Sequence, residues 1–440
     1  MKSKHVYIVL LLVFITFTTL IVHFRKPEAK LELQMRQGEL ASSSEWLNTQ
    51  SAIQGLINDV NAHPENLKAK LHLALAYIQE SRISGNHAYY DQTALQLLEA
   101  VIKKDPENVD ALCSKATVLL SQHHFSEALP IAQKALEINP YNSSVYGIMT
   151  DAYVELGQYD DAVKMADRMV AVRPDLRSYS RISYLREIFG DYPGAIEAMK
   201  LAVSAGYPGL EQTSWTRTGL GHLYELNGDL PSAEMHYKIT LFERPEYAFA
   251  LAGLGRVEKA KGNYNASIHY FQKAKTIVND FSFDEELTEL FRINNQPGKA
   301  TASAHAAIDA LSSINKNDGN GHGHYADREL AHAYLNGYQY RSALAHALIE
   351  YNRRPGNIDV NQTLAWVYYK LGKYEDANKY INVAMRTGSK NPVLIYQAGL
   401  IKLKAGQQEN GMALLNEALS YNPFLSTLLK WEGKEYLALM

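Results

Sequence analysis

The sequence predicts an all-α fold, a right-handed superhelical solenoid of about ten stacked helix-turn-helix units behind an N-terminal transmembrane helix. Three observations predict it. An alanine recurs at Ala94, Ala128, Ala162, Ala195, Ala233, Ala300, Ala343 and Ala377. The steps are 34, 34, 33, 38, 67, 43 and 34 residues, with Ser267 in the slot that the 67-residue step skips. Pro106, Pro140, Pro174 and Pro208 keep the same 34-residue interval. Such a period marks stacked helical units, each too small to bury its own apolar face alone. Finally, nineteen residues from Val6 to Phe24 carry no Lys, Arg, Asp or Glu. As a helix they span roughly 28 Å, about the thickness of a bilayer core.

The elements follow in order. Residues 1–26 read as a signal-anchor, a transmembrane helix through residues 6–24. The residues after the apolar run, His23-Phe24-Arg25-Lys26-Pro27, offer no small-x-small cleavage site. A cleaved signal peptide with periplasmic release is the alternative. For orientation, Arg25, Lys26, Lys30 and Arg36 outnumber Lys2 and Lys4, which favours a cytoplasmic C-terminal side. The short basic head before the apolar run favours export, and the expected side is the exported one. Residues 27–43 form a polar linker. Residues 44–66 form a capping half-repeat helix with Trp46, Ile53, Leu56, Ile57 and Val60 on one face, closing at Pro64.

Ten units fill residues 67–311 and 324–423. In each first helix a bulky apolar residue precedes a small one, as in Leu73-Ala74, Met149-Thr150, Leu220-Gly221, Leu330-Ala331 and Leu364-Ala365. A larger side chain at the small position would hold two crossing helices apart. A left-handed glycine turn follows at Gly157, Gly190, Gly228, Gly262, Gly372 and Gly406. The comb alanine then opens the second helix. Residues 312–323, rich in Gly, Asn and Asp, read as a loop between two solenoid segments. Residues 424–440 read as a final amphipathic capping helix.

This pattern resembles the tetratricopeptide repeat over about residues 67–423, best in Tyr146 to Pro174, Leu220 to Pro245 and Leu364 to Ala384. Departures are about eight extra residues around Ser81 to Tyr90, Pro297 in place of a turn aromatic, and Gly411 in place of the comb alanine. The chain also resembles bacterial membrane-anchored scaffold proteins of this family. That resemblance implies a single-pass protein of the bacterial inner membrane, with the repeats on the periplasmic side. The implied function is a membrane-tethered scaffold for partner proteins or peptides in cell-envelope assembly. The alternatives are an exported metal- or small-ligand-binding protein, or a protein like an organelle import receptor.

Composition restricts the chemistry. Net charge is -3 and 21% of residues are charged, so no basic field invites nucleic acid. Cys113 stands alone, which excludes an intramolecular disulfide, a CxxC pair and a four-cysteine zinc site. HExxH, GxSxG and phosphate-loop motifs are absent from the sequence. No catalytic residue, enzyme activity or cofactor is expected. His322 and His324, flanking Gly323, are weak metal-ligand candidates only. The ligand is expected on the concave face, about one position after each small residue and one turn to either side. The slots that carry the expectation are Tyr184, Trp215, His222, Arg256, Lys259, Arg328, His332, Trp366, Tyr369 and Tyr396; Asp151, Glu225 and Gln362 occupy equivalent positions.

Overall fold

The computed structural model describes residues 14, 16–17, 31–36, 40–41, 44–316 and 323–437. The chain divides into two units, Met1–Gln34 and Met35–Met440. In the first unit Phe14, Thr16 and Phe17 are helical and residues 31–34 are irregular. The rest of the apolar run 6–24 lies outside the described residues. Among those described, no helix is long and apolar enough to cross a membrane. Crossing takes about 20 consecutive apolar residues in one helix. The expectation of a single-pass membrane protein is therefore corrected, and the transmembrane helix and the periplasmic placement go with it.

The second unit is all-helical among its described residues. Helix α1 (Ser44–Ala62) leads the array. Its Trp46, Ile53, Ile57 and Val60 are buried. Arg36 lies over the Trp46 ring at 4.6 Å and donates two hydrogen bonds to Glu80, at 2.7 and 2.8 Å.

Ten helix pairs follow. They are α2/α3 (Leu67–Ser84, His87–Lys104), α4/α5 (Val109–Ser121, Phe125–Ile138), α6/α7 (Ser143–Glu155, Tyr159–Val172), α8/α9 (Leu176–Ile188, Tyr192–Ser204) and α10/α11 (Glu211–Leu226, Leu230–Glu243). Then come α12/α13 (Ala248–Ala260, Tyr264–Ile277), α14/α15 (Phe281–Ile293, Pro297–Lys316), α16/α17 (Asp327–Asn336, Tyr340–Arg353), α18/α19 (Ile358–Lys370, Tyr374–Ala384) and α20/α21 (Pro392–Lys404, Gln408–Tyr421). Helix α15 continues to Lys316, into residues that the sequence reads as loop. The segment 424–440, expected as one helix, is broken into α22 (Thr427–Glu432) and α23 (Lys434–Leu437).

Local chemistry explains these boundaries. Asn66, Asn108, Asn142, Asn357 and Asn391 cap first helices, each side chain accepting a backbone N–H of the first turn. The comb alanines 94, 128, 162, 195, 233, 343 and 377 are all fully buried where paired helices cross. Where a hydroxyl replaces the methyl, it bonds across the crossing: Ser183 donates to the Ala195 carbonyl and Ser267 to the Gly255 carbonyl, both at 2.7 Å. The last pair is closer still. A Cβ on Gly411 would lie 2.9 Å from the Gly399 carbonyl oxygen, which is why glycine replaces alanine there.

The array coils back on itself. Hydrogen bonds join residues 197 to 203 positions apart, about six repeat lengths. Each receiving point is the turn inside a unit, and each donor is a later loop between units. The Tyr325 amide donates to the Gln122 carbonyl at 3.0 Å. Asn357 Nδ2 donates to the Glu155 carbonyl at 3.0 Å, and the Ile358 amide to the Tyr159 hydroxyl at 2.9 Å. Asn422 Nδ2 donates to the Glu225 carbonyl at 3.0 Å. Arg354, itself buried, bridges Glu155 and Glu350 along this seam. The first helices thereby curve around an interior.

Candidate functional site

That interior is a cavity of 1910 Å³, bounded by α10, α12, α14, α15, α16, α18 and α20 and by residues 426–435. Small-molecule pockets measure roughly 300–1,000 Å³, so this space is on the scale of a polypeptide segment. Its walls combine aromatic faces with charge.

On one wall, α10 and α12 present a linked group. Arg256 Nε donates to both Glu225 oxygens, at 2.9 and 3.1 Å, and its Nη2 donates to the Tyr237 hydroxyl at 3.2 Å. Tyr237 in turn donates to Glu225 Oε2 at 2.8 Å. His222 Nδ1 stands 3.7 Å from the same carboxylate. Burial works to raise the Glu225 carboxyl, but Arg256, His222 and the tyrosine hydroxyl prevail and hold it at about 2. Trp215, half exposed, sits two turns before His222 on the same helix.

Helix α14 supplies an acidic stripe. Glu286 and Glu289 share Lys259, whose Nζ lies 2.5 and 3.0 Å from them. Glu285 Oε1 has no hydrogen-bond partner. Burial first, then the charges of Glu286 and Glu329, push its carboxyl up to about 8. On the opposite wall, the Trp366 ring stacks on Tyr369 at 4.6 Å and 6°, with Lys370 Nζ 5.0 Å above Trp366. His332 Nε2 is 2.9 Å from the Thr363 hydroxyl. Burial, then Arg328, push that imidazole down to about 4, so it is neutral at pH 7.

The structure brings together six of the residues expected from sequence. Trp215, His222, Arg256, His332, Gln362 and Trp366 line the cavity, and Lys259 meets it through Glu286 and Glu289. Tyr184 (40% exposed) and the partly buried Arg328 are not among its lining residues. Tyr369 is buried beneath Trp366, and Tyr396 is wholly buried in the core. Both are packing residues here, because their rings point toward neighbouring helices rather than into the cavity. Sequence reasoning missed Glu285, Glu286 and Glu289. The unit beginning at Phe281 departs from the repeat pattern, and that hid its carboxylates; their spacing along one helical face was the available signal.

The histidine-rich loop has a structural part. His124 Nε2 lies 2.6 Å from the Gly323 carbonyl, and the His324 ring rests 4.4 Å from His123. Burial and the neighbouring His123 push His324 down to about 3. His322 lies outside the described residues. Among the described residues, no three or more His, Cys, Asp or Glu side chains are grouped to hold a metal ion.

Comparisons with known proteins agree with this architecture. Two family models described as tetratricopeptide repeat match residues 92–143 and 119–187. Residues 92–187 therefore carry tetratricopeptide repeats. The chain is similar to a protein CTR9 homolog of Arabidopsis thaliana, at 26% identity over 42% of this chain. It is also similar to the uncharacterized protein y4yS of Sinorhizobium fredii, at 31% identity over 21% of this chain. The matches span 21% and 46% of the lengths of those two relatives. Among solved structures, it is similar to the human IFIT1 dimer with m7Gppp-AAAA. There the TM-score is 0.49 and the identity 16%, over 78% of each chain. Proteins of the tetratricopeptide-repeat class bind other proteins or peptides and act as interaction scaffolds.

Proposed function

We propose that this protein is an interaction scaffold that holds a partner polypeptide inside the channel enclosed by its first helices. One observation carries the reading: a 1910 Å³ interior whose walls carry Trp215, Trp366, Arg256 and the acidic stripe of α14. Rigid aromatic faces supply contact area at low entropic cost, and charged groups fix the register of a bound backbone. Trp215 and Trp366 are the anchors. Arg256 organises the wall, since its Nε and Nη2 serve Glu225 and Tyr237. Arg256→Glu would therefore set two carboxylates side by side and disturb the wall itself. The envelope-assembly role drew on the membrane span and is not carried forward.

The experiment places a photo-crosslinking amino acid at position 215, 366 or 242 of the full chain, in its native cells. Phe242 is 89% exposed and does not line the cavity, so it serves as the control. Crosslinks to a common polypeptide from 215 and 366, diminished by Trp366→Ala in the 215 probe, are the expected result. Crosslinks from position 242 alone would overturn the channel reading.

A further inference from the structure

The chain's own C-terminal segment forms part of the channel wall. Residues 424–437 leave the last helix pair and re-enter the cavity, where Ser426, Leu428, Leu429, Trp431, Glu432 and Glu435 are among its lining. The Ser426 hydroxyl donates to Glu289, the carboxylate that Lys259 also holds. The Thr427 hydroxyl is 3.2 Å from the Tyr264 hydroxyl. Glu432 pairs with Lys370, next to Trp366, and Glu435 pairs with Lys404 at 2.6 Å. Leu425 and Leu429 are buried and Tyr436 packs against the same core cluster, while Trp431 remains 58% exposed. The two helices of this segment hold 6 and 4 residues. Helices so short do not persist without tertiary support, so these contacts hold the segment in place.

Its closest approach to the core is at Gly433. Gly433 lies against the core, where an added Cβ would meet the Tyr396 hydroxyl oxygen at 2.5 Å. Tyr396 is wholly buried and its hydroxyl has no hydrogen-bond partner among the described residues. Only a residue without a side chain lets the backbone settle over that ring.

We propose that residues 424–437 are an internal occupant of the channel. The partner they stand in for is a short helical segment offering a hydroxyl to Glu289 and a carboxylate to Lys370. The inference deepens the scaffold reading and rests on it, because the segment covers the part of the channel wall, at Glu289 and Lys370, that such a partner would use.

The test uses a fluorescein-labelled peptide of residues 422–437 and the full-length protein, read by fluorescence anisotropy. Gly433→Leu wedges the segment off Tyr396 and leaves Glu289, Lys370 and Lys404 intact. It is expected to bind the peptide at least tenfold more tightly than wild type. Adding Lys370→Glu removes the gain. Should Gly433→Leu fail to fold, Glu432→Lys/Glu435→Lys reads the same quantity, since it repels the segment from Lys370 and Lys404 without altering the channel. Equal peptide affinity in wild type and the folded variants overturns the proposal. Absence of partner crosslinks from positions 215 and 366, alongside a preserved tenfold gain, would instead sink the scaffold reading and leave the internal docking standing.

Discussion

Gly157 and Gly372 occupy equivalent turns and both adopt left-handed backbone, at φ +76° and +71°. They differ in what lies beside them. A Cβ on Gly157 would fall 2.2 Å from the carbonyl carbon and oxygen of Gly356 and 2.7 Å from the Asn357 nitrogen. A Cβ on Gly372 meets nothing within 4 Å. Gly372→Ala should therefore cost only the left-handed penalty, about 1–2 kcal/mol. Gly157→Ala adds the opening of the seam, because backbone cannot yield as a side-chain tip can. Lost with it are the two Asn357 hydrogen bonds to the carbonyls of Val154 and Glu155, and the Ile358 bond to Tyr159. At about 1 kcal/mol each, the alanine at 157 should cost about 4–5 kcal/mol in all. Urea unfolding followed by far-ultraviolet circular dichroism measures both variants, and amide exchange at Ile358 reports the seam directly. Costs within roughly 0.5 kcal/mol of one another, with Ile358 protection unchanged, would refute the seam argument.

Other outcomes follow from the same contacts. Arg354→Ala leaves Glu155 without its guanidinium while Glu350 keeps Arg353 at 3.0 Å; the loss should be about 3 kcal/mol, and Glu155→Gln should recover much of it in a double-mutant cycle. Ala162→Leu wedges a fully buried crossing and should cost about 1–3 kcal/mol, measured as a lowered unfolding midpoint. The pH dependence has two windows. His332 and His324 are held neutral in the fold, down to about 4 and about 3, whereas the unfolded chain protonates them near 6.5. The unfolded state then binds more protons, so stability falls as pH drops below 6.5, by up to about 1.4 kcal/mol per unit per histidine. His332→Gln should flatten that slope between pH 6.5 and 4. Glu225 acts lower down: its stabilisation is complete above its ordinary value of 4.5 and is lost as pH falls toward about 2, a loss that Glu225→Gln should remove from the titration curve.

Much of the architecture was legible because it is local and periodic. Ala162 and Ala195 mark helix crossings, and the glycines at 190, 228 and 406 adopt the left-handed turns that their spacing announces. Trp215, His222 and Trp366 could be placed on the inner face by counting along a helix. Tyr396 defeated the same count. Its helix α20 is covered by the returning segment at Gly433, so the ring became core. Glu289 was hidden for a related reason: its value lies in Lys259 and Ser426, 30 and 137 residues away. The apolar run 6–24 was read from hydropathy alone, and no described helix supports a crossing.

By itself the sequence determined the repeat unit, its crossings and, for α10, α12, α16 and α18, the face that turns inward. These depend on residues within one or two turns of each other, and a 34-residue period repeats them. Only the tertiary structure decided where the coil meets itself. Gly157, Gly190 and Gly228 each seat a later backbone, while Gly262, Gly372 and Gly406 face open space, and nothing in their local sequence separates the two sets. The distinction comes from small rotations summed over about six units, a quantity no single unit encodes. The same sum closes the channel and carries residues 424–437 into it.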